Sequence, residues 1–124
     1  MDDSIDQSLQ LYNAARDAMN AGKLAEALEF FEASLAKHIH HKTLELIGEL
    51  HHRQGRPRDA IIPLAAATGL NRGPRAPSIL AEAFLALEEW ADAEEAASES
   101  LRRDPNCRRA AVARDAARQR LNDR

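Results

Sequence analysis

Apolar and small residues return along this chain on two scales. Within short stretches they recur every three to four positions, the signature of amphipathic helices. The stretches themselves recur every 33 residues. Gly22-Lys-Leu-Ala-Glu-Ala27-Leu-Glu-Phe-Phe31 is followed by Gly55-Arg-Pro-Arg-Asp-Ala60-Ile-Ile-Pro-Leu64, and then by Glu88-Glu-Trp90-Ala-Asp-Ala93-Glu-Glu-Ala-Ala97. Ala27, Ala60 and Ala93 keep one phase; so do Phe31, Leu64 and Ala97, and Leu35, Thr68 and Leu101. A fixed period of this length marks a stacked-repeat architecture, in which no unit buries its apolar face alone and neighbours must cover it. No stretch alternates apolar and polar residues over strand length, so the pattern predicts an all-α chain.

Punctuation places the helices. Ser4-Ile-Asp-Gln7 has capping-box spacing and predicts the start of helix one. Ile5, Leu9, Ala15 and Met19 are its expected apolar face, and Gly22 its end. Helix two is expected from about Leu24 to Lys37, and helix three from about His41 to Gln54, stopping at Gly55. Pro57 suits the first turn of helix four, where its missing N–H has no intrahelical partner anyway. Pro63 lies inside that helix and should kink it or free the Asp59 carbonyl. Gly69 and Gly73-Pro74 mark the next joint. Helix five is expected from about Pro77 to Leu87 and helix six from about Trp90 to Arg103. Helix seven, from about Asn106 to Leu121, carries Ala110, Ala113, Ala117 and Leu121 on one stripe, with Arg109, Arg114, Arg118 and Arg120 outward. A last unit without a neighbour needs such a polar-backed terminal helix.

The repeated residues resemble those of the tetratricopeptide repeat (TPR) family. Its first-helix places, a large apolar residue, then Leu-Gly, then an aromatic, read Leu11, Ala14-Ala15 and Ala18 in unit one. They read Leu44, Ile47-Gly48 and His51 in unit two, and Pro77, Leu80-Ala81 and Phe84 in unit three. The second-helix places read Ala27-Phe31-Ser34, Ala60-Leu64-Ala67 and Ala93-Ala97-Ser100, and the closing Pro is Pro105. The resemblance spans roughly residues 8 to 107. It implies a right-handed helical-repeat solenoid of three helix pairs plus a C-terminal capping helix. The repeats would run over about 8–40, 41–73 and 74–107, with the cap over about 106–121, all in one domain of 1–124.

The resemblance also implies a binding function. In this family the concave surface comes mostly from the first helix of each unit. In that register it should present Leu9, Tyr12, Asn13, Arg16 and Asn20 from unit one. Unit two should present Lys42, Glu45, Leu46, Glu49, His52 and Arg53, and unit three Arg75, Ser78, Ile79 and Glu82. A mixed polar groove with one aromatic and a few aliphatics suits an extended peptide or a helix with several anchors; the plain alternative for any one of these positions is an ordinary solvated helix residue. The expected role is a non-enzymatic protein-binding adaptor with a protein or peptide partner and no cofactor. One subclass clamps the C-terminal carboxylate of heat-shock chaperones. This chain has Tyr12 and Arg16, Leu46, and Ile79 where that clamp needs Lys and Asn, Asn, and Arg; Arg75 alone matches in charge. The clamp residues are therefore not assembled. The type III secretion chaperones that hold translocator segments share only the architecture and give an alternative reading.

Composition agrees. The chain has 124 residues, one domain in length. Hydrophobic residues make up 44% but aromatics only 4%, so the helices pack through small side chains, chiefly alanine, the best helix former. No stretch of about 18 apolar residues is present, so no transmembrane helix is expected. The acidic start lacks a secretory leader, and the lone Cys107 has no internal disulfide partner, which points to the cytoplasm.

The remaining chemistry is sparse. His38, His40, His41, His51 and His52 are close in sequence. His41 and His51 share a side of helix three, about 15 Å apart along its axis. His51 takes the aromatic core place, and His38 is placed to meet His41 across the turn. Neutral imidazoles are common ligands for zinc, copper or nickel, so His38, His40 and His41 are candidate metal ligands, although no metal-finger spacing accompanies them. Cys107 follows Pro105-Asn106 at a helix start beside Arg103, Arg108 and Arg109, the setting of a reactive thiol. Together these give the contrasting reading, a metal- or redox-responsive switch. There is no Gly-rich phosphate loop and no G-x-S-x-G. The net charge is −3 but unevenly spread. Asp2, Asp3, Asp6, Asp17, Glu26, Glu29 and Glu32 make the first third acidic, Glu82 to Glu99 holds no basic residue, and the end is Arg-rich. Acidic neighbours make nucleic acid an unfavourable ligand for that end. Oppositely charged ends allow head-to-tail self-association.

Overall fold

The computed structural model describes residues 3–123, so Asp2 of the acidic start lies outside the described residues. Among these there are seven helices and no strand: α1 (Ser4–Asn20), α2 (Leu24–Lys37), α3 (His41–Arg53), α4 (Pro57–Leu70), α5 (Arg75–Ala86), α6 (Trp90–Arg103) and α7 (Arg108–Asn122). α1/α2, α3/α4 and α5/α6 form the tightest pairs, and α7 packs on both α5 and α6.

The turns inside the pairs are one motif used three times. Gly22 and Gly55 adopt φ of 78° and 75°. At each, the residue after the glycine donates its N–H back to the preceding helix: Lys23 to Ala18 at 2.8 Å and Arg56 to His51 at 2.8 Å. Such a left-handed closing residue favours glycine because a Cβ crowds the backbone there. The third turn makes the same bond, from Glu89 to Phe84 at 3.0 Å, around Glu88 with φ 60°.

Several boundaries differ from the sequence expectation. The capping box is not formed: Asp3 is the N-cap of α1, Ser4 is already helical, and no side chain caps the end. α5 starts at Arg75, not Pro77, because a proline in the first helical turn forfeits only an N–H without an intrahelical acceptor. α7 starts at Arg108, not Asn106. The Asp104 carboxylate accepts the Asn106 N–H at 3.0 Å and the Asp104 carbonyl accepts the Cys107 N–H at 3.1 Å, which holds those residues in a turn. α4 runs through Pro63 without a break, and Asp59, whose carbonyl loses its partner, is exposed.

α1 turns a different face inward from the one expected. Ala15 and Ala18 are buried and Met19 is half-buried, but Ile5 and Leu9 are 62% and 56% exposed. A serine pair takes the inner position instead. Ser34 Oγ donates to the Ser8 carbonyl at 2.7 Å, and Ser8 Oγ returns a bond to the Ser34 carbonyl at 2.9 Å. The third unit repeats the device, with Ser100 Oγ donating to the Pro74 carbonyl at 2.7 Å.

Two apolar clusters form the core. One gathers Ala15, Ala18, Ala27, Leu28, Phe31, Leu46, Ile47 and Leu50. The other gathers Ala60, Leu64, Ile79, Leu80, Ala81, Ala83, Ala96, Ala97 and Ala113. Full burial of Phe31, Leu50, Leu64 and Ile79 contributes roughly 1.5–3 kcal/mol each. Ala110, Ala113 and Ala117 of α7 are buried as expected, and Leu121 is half-buried. The arginines of α7 are not merely outward. Arg118 bonds Glu94 at 3.1 Å, the Arg120 guanidinium lies 5.1 Å from the Trp90 ring centre, and Arg109 reaches Glu82. Arg103 of α6 ties units two and three together. It donates to the carbonyls of Thr68, Asn71 and Gly73 at 3.0, 2.8 and 3.1 Å, at the C-terminal end of α4 where carbonyls lack helical partners.

The units are not equally close. α3 contacts α5 and α5 contacts α7, but α1 and α3 barely touch, and α2 meets α3 less extensively than α4 meets α5. Unit one is therefore splayed from unit two.

Candidate functional site

The first helices α1, α3, α5 and α7 share one face, and its middle is an ion network. Glu45 and Glu49, one turn apart on α3, point at the start of α5. There Arg75 donates to Glu45 at 2.7 Å and to Glu49 at 2.6 Å, while Lys42 donates to the same Glu45 oxygen at 2.7 Å. Burial alone would raise the Glu45 pKa, but the hydrogen bonds from Lys42 and Arg75 outweigh it and hold the carboxyl below its ordinary range. Burial opposes the charge on Arg75, and the bonds from Glu49 and Glu45 overcome that and raise its pKa. A second centre follows on α5. Arg109 grips Glu82 with two bonds of 2.6 and 2.7 Å, and His52 Nε2 lies 3.3 Å from Glu82 Oε1, one of the two oxygens that Arg109 holds. The bond to Glu82 raises the Arg109 pKa against the opposing effect of burial.

This arrangement sorts the expected binding residues. Asn13, Arg16, Asn20 and Arg53 are exposed. Tyr12 is half-buried, edge-on to Phe31 at 5.6 Å, with the Arg16 guanidinium 5.9 Å from its ring centre. Lys42, Glu45, Glu49, Arg75, His52 and Glu82 are brought together in the network. Leu46 and Ile79 are not on the groove: they are 4% and 0% exposed and belong to the two cores. Ser78 is also buried, its hydroxyl bonded to the Arg75 carbonyl at 2.6 Å. Leu46 and Ile79 are buried because α3 and α5 are covered on two sides, whereas the equivalent Asn13 on α1 is exposed. Arg109 went unrecognised as an inner-face residue. Its spacing from the buried Ala110, Ala113 and Ala117 marks it as flanking the stripe, not opposite it.

Beside the network a cleft of about 320 Å³ opens between α1 and the start of α3. Ile5, Ser8, Leu9 and Tyr12 line one wall, Lys42 and Thr43 the other, and Ser34, His38 and His40 the floor and rim. Its lining includes no carboxylate. Within this wall Ile5 and Leu9 turn away from the core, while Tyr12 reaches it edge-on to Phe31.

The histidines do not assemble as ligands. Among the described residues no group of three or more His, Cys, Asp or Glu side chains is placed to hold a metal ion. His40 stacks on His41 with ring centres 4.4 Å apart, so His41 meets His40 and not His38. His40 Nδ1 accepts the Lys42 N–H at 3.1 Å and caps α3. Burial, then the neighbouring His41 and His38, lower the His40 pKa. His41 Nε2 sits 3.4 Å from the Asn71 side chain. Cys107 is half-buried and receives a 3.5 Å contact from the Ser100 hydroxyl. Arg103 and Arg109 are committed to the α4 carbonyls and to Glu82, so the expected cationic setting of the thiol is not built from them.

No protein-family model matches the sequence, and no curated protein matches it. Solved structures do match in shape. The first TPR domain of Spaghetti (RPAP3) bound to an HSP90 peptide superposes with a TM-score of 0.90 at 19% identity, covering 95% of each chain. The second TPR domain of human RPAP3 in complex with an HSP70 peptide gives 0.87 at 14% identity, over 93% of this chain and 98% of that one. The Yersinia enterocolitica type III secretion chaperone SycD, in complex with a peptide of the translocator YopD, gives 0.84 at 22% identity, over 94% and 95%. At these identities the likeness establishes the fold: the chain is an all-α helical repeat with the TPR architecture. No helix among the described residues is long and apolar enough to cross a membrane.

Proposed function

We propose that this chain is a non-enzymatic protein-interaction module that takes a peptide or helix on the face made by α1, α3 and α5. The observation that carries this reading is the cleft between α1 and α3, an apolar recess about 320 Å³ in volume on the first-helix face of a TPR architecture. Recesses of this kind take the few buried anchors that supply most of an interface's energy. Three structures of matching shape were solved with peptides bound, which supports the same use here. The side chains of the ion network hold one another.

The ion network bears on the kind of ligand. Arg75 is the one clamp place that matches in charge, and Glu45 and Glu49 already occupy it. An acidic chain end bound there would have to displace two partly buried carboxylates, so this chain does not take the ligand of the chaperone-clamp subclass. A chaperone-like role, holding a segment of a secreted partner, would use the same face and is the second reading; the match to SycD favours it. Hydrogen exchange of the partner-bound protein tests the proposal. Protection gained on α1, α3 and α5 supports it, and protection confined to α2, α4 and α6 contradicts it.

A further inference from the structure

The 33-residue register shows what is different about the first junction. Leu9, Lys42 and Arg75 are equivalent, as are Tyr12, Glu45 and Ser78, and Arg16, Glu49 and Glu82. Between units two and three these places hold the chain Lys42–Glu45–Arg75–Glu49, which fills the space between α3 and α5 with matched charges. Between units one and two the same places hold Leu9, Tyr12 and Arg16 against Lys42. Two apolar groups replace Lys42 and Glu45, and the space they leave is the cleft. The Glu49–Arg75 pair becomes Arg16 and Lys42, two cations. Arg16 is exposed and makes no ion pair among the described residues; its one contact is with the Tyr12 ring. Lys42 is held by Glu45, so the first junction has an apolar recess where the second is filled by charges, and its Arg16 lacks the carboxylate that Arg75 has in Glu49.

We infer that the α1–α3 cleft is a docking site for a partner segment carrying an aliphatic side chain next to an acidic one. The aliphatic group enters between Leu9, Tyr12 and Thr43, and the side-chain carboxylate pairs with Arg16, whose guanidinium lies over the Tyr12 ring, while Lys42 keeps its bond to Glu45. The acidic group is internal to the segment, not a chain end. The absence of any carboxylate from the cleft lining, in a chain of net charge −3, gives the site its charge preference. This inference rests on the proposed binding face and narrows it to one junction and one ligand chemistry.

The test uses two acetylated, amidated pentapeptides, Gly-Leu-Leu-Glu-Gly and Gly-Leu-Leu-Lys-Gly, titrated into the full-length ¹⁵N-labelled chain. Amide shifts should cluster at Ser8, Leu9, Tyr12, Lys42 and Thr43. The Glu peptide should bind about fivefold more tightly than the Lys peptide, since exposed charge pairs change affinity by that order. The variant Arg16→Gln should abolish the preference, and Leu9→Gln, at an exposed position, should weaken both peptides with an unchanged melting temperature. Equal affinity for the two peptides, a preference that survives Arg16→Gln, or no binding of either overturns the inference. Shifts on the α3–α5 face around Arg53 and Glu82 overturn the cleft but leave the proposed binding face standing. Shifts confined to α2, α4 and α6 overturn both.

Discussion

Arg75 on α5 and Glu49 on α3 are joined by a 2.6 Å hydrogen bond across the junction of the second and third helix pairs. The same guanidinium holds Glu45, so one cation neutralises two carboxylates that lie a single turn apart and are nearly buried. Lys42 also holds Glu45, so Arg75→Ala should leave Glu49 without its cation and Glu45 with Lys42 alone. Arg75 is about 40% exposed, so solvent screens the loss, and the expected cost is about 1–2 kcal/mol in urea unfolding at neutral pH. The pH dependence has a defined sign. The Glu45 pKa is held below its unfolded value of 4.5, so this contribution is fully present above that pH and lost as pH falls through the lower folded value. In Arg75→Ala the acid-side loss of stability should begin at higher pH. Coincident acid limbs for the two proteins would show that the network does not act on Glu45.

His40 gives a second pH signature. Its Nδ1 lone pair accepts the Lys42 N–H, which protonation would prevent. The folded pKa lies below the unfolded 6.5, so the stability it supplies is fully present above that value and declines as pH falls below it. Asn at the same N-cap makes the bond without titrating. His40→Asn should flatten the thermal-stability profile between roughly pH 7 and 5, where unperturbed imidazoles titrate. A profile unchanged by the substitution would remove His40 from that role.

Gly48 and Leu64 pack without room for a methyl group between them. A Cβ on Gly48 would lie 2.7 Å from Leu64 Cδ2, and Leu64 is fully buried. The equivalent pairs are Ala15 with Phe31 and Ala81 with Ala97, all helix-contact positions. Gly48→Ala gains helix propensity of roughly 1 kcal/mol but overpacks, and overpacking of about 1–3 kcal/mol should win. The urea midpoint should fall. A rise would mean that α3 and α4 separate easily at this point.

Glu88 occupies the left-handed turn position that Gly22 and Gly55 hold in the other pairs. A side chain in that conformation costs roughly 1–2 kcal/mol relative to glycine. Glu88→Gly should raise stability by about 1 kcal/mol, measured by thermal or urea unfolding, the usual gain at a helix-closing position less the entropy lost by glycine. Destabilisation would show that Glu88 makes a compensating contact.

The repeat made the fold legible. Three copies of one turn and one small-residue contact set the helix order, and the expected bounds of α2 and α6 agree with the structure to the residue. Ends shaped by local bonds were less legible: the Asp104 turn delays α7, and Pro77 sits inside the first turn of α5. The site was legible as a face, but not in depth. Leu46 and Ile79 look like groove residues in the register, yet α3 and α5 each have neighbours on both sides, so the same helix angle is core there and open on α1. Ile5 and Leu9 failed in the opposite direction. They read as core because they are aliphatic, but Ser8 takes the inner position and leaves them on the wall of the cleft. Arg103 and Arg109 bridge elements 27 to 35 residues apart, and no local pattern encodes such partners.

The central claim is that binding uses the α1–α3–α5 face, and differential capture of a partner tests it most directly. Tagged wild-type chain, Tyr12→Ala, Arg16→Ala and Glu95→Ala would each be used to recover interacting proteins from source cells, with the recovered chain then titrated calorimetrically. Tyr12 lines the cleft, Arg16 lies over the Tyr12 ring, and Glu95 is exposed on α6 away from both. The account predicts that Tyr12→Ala and Arg16→Ala each weaken the partner by more than about 1 kcal/mol, roughly fivefold, while Glu95→Ala binds as wild type. A partner that binds both cleft variants normally and is lost with Glu95→Ala would contradict it.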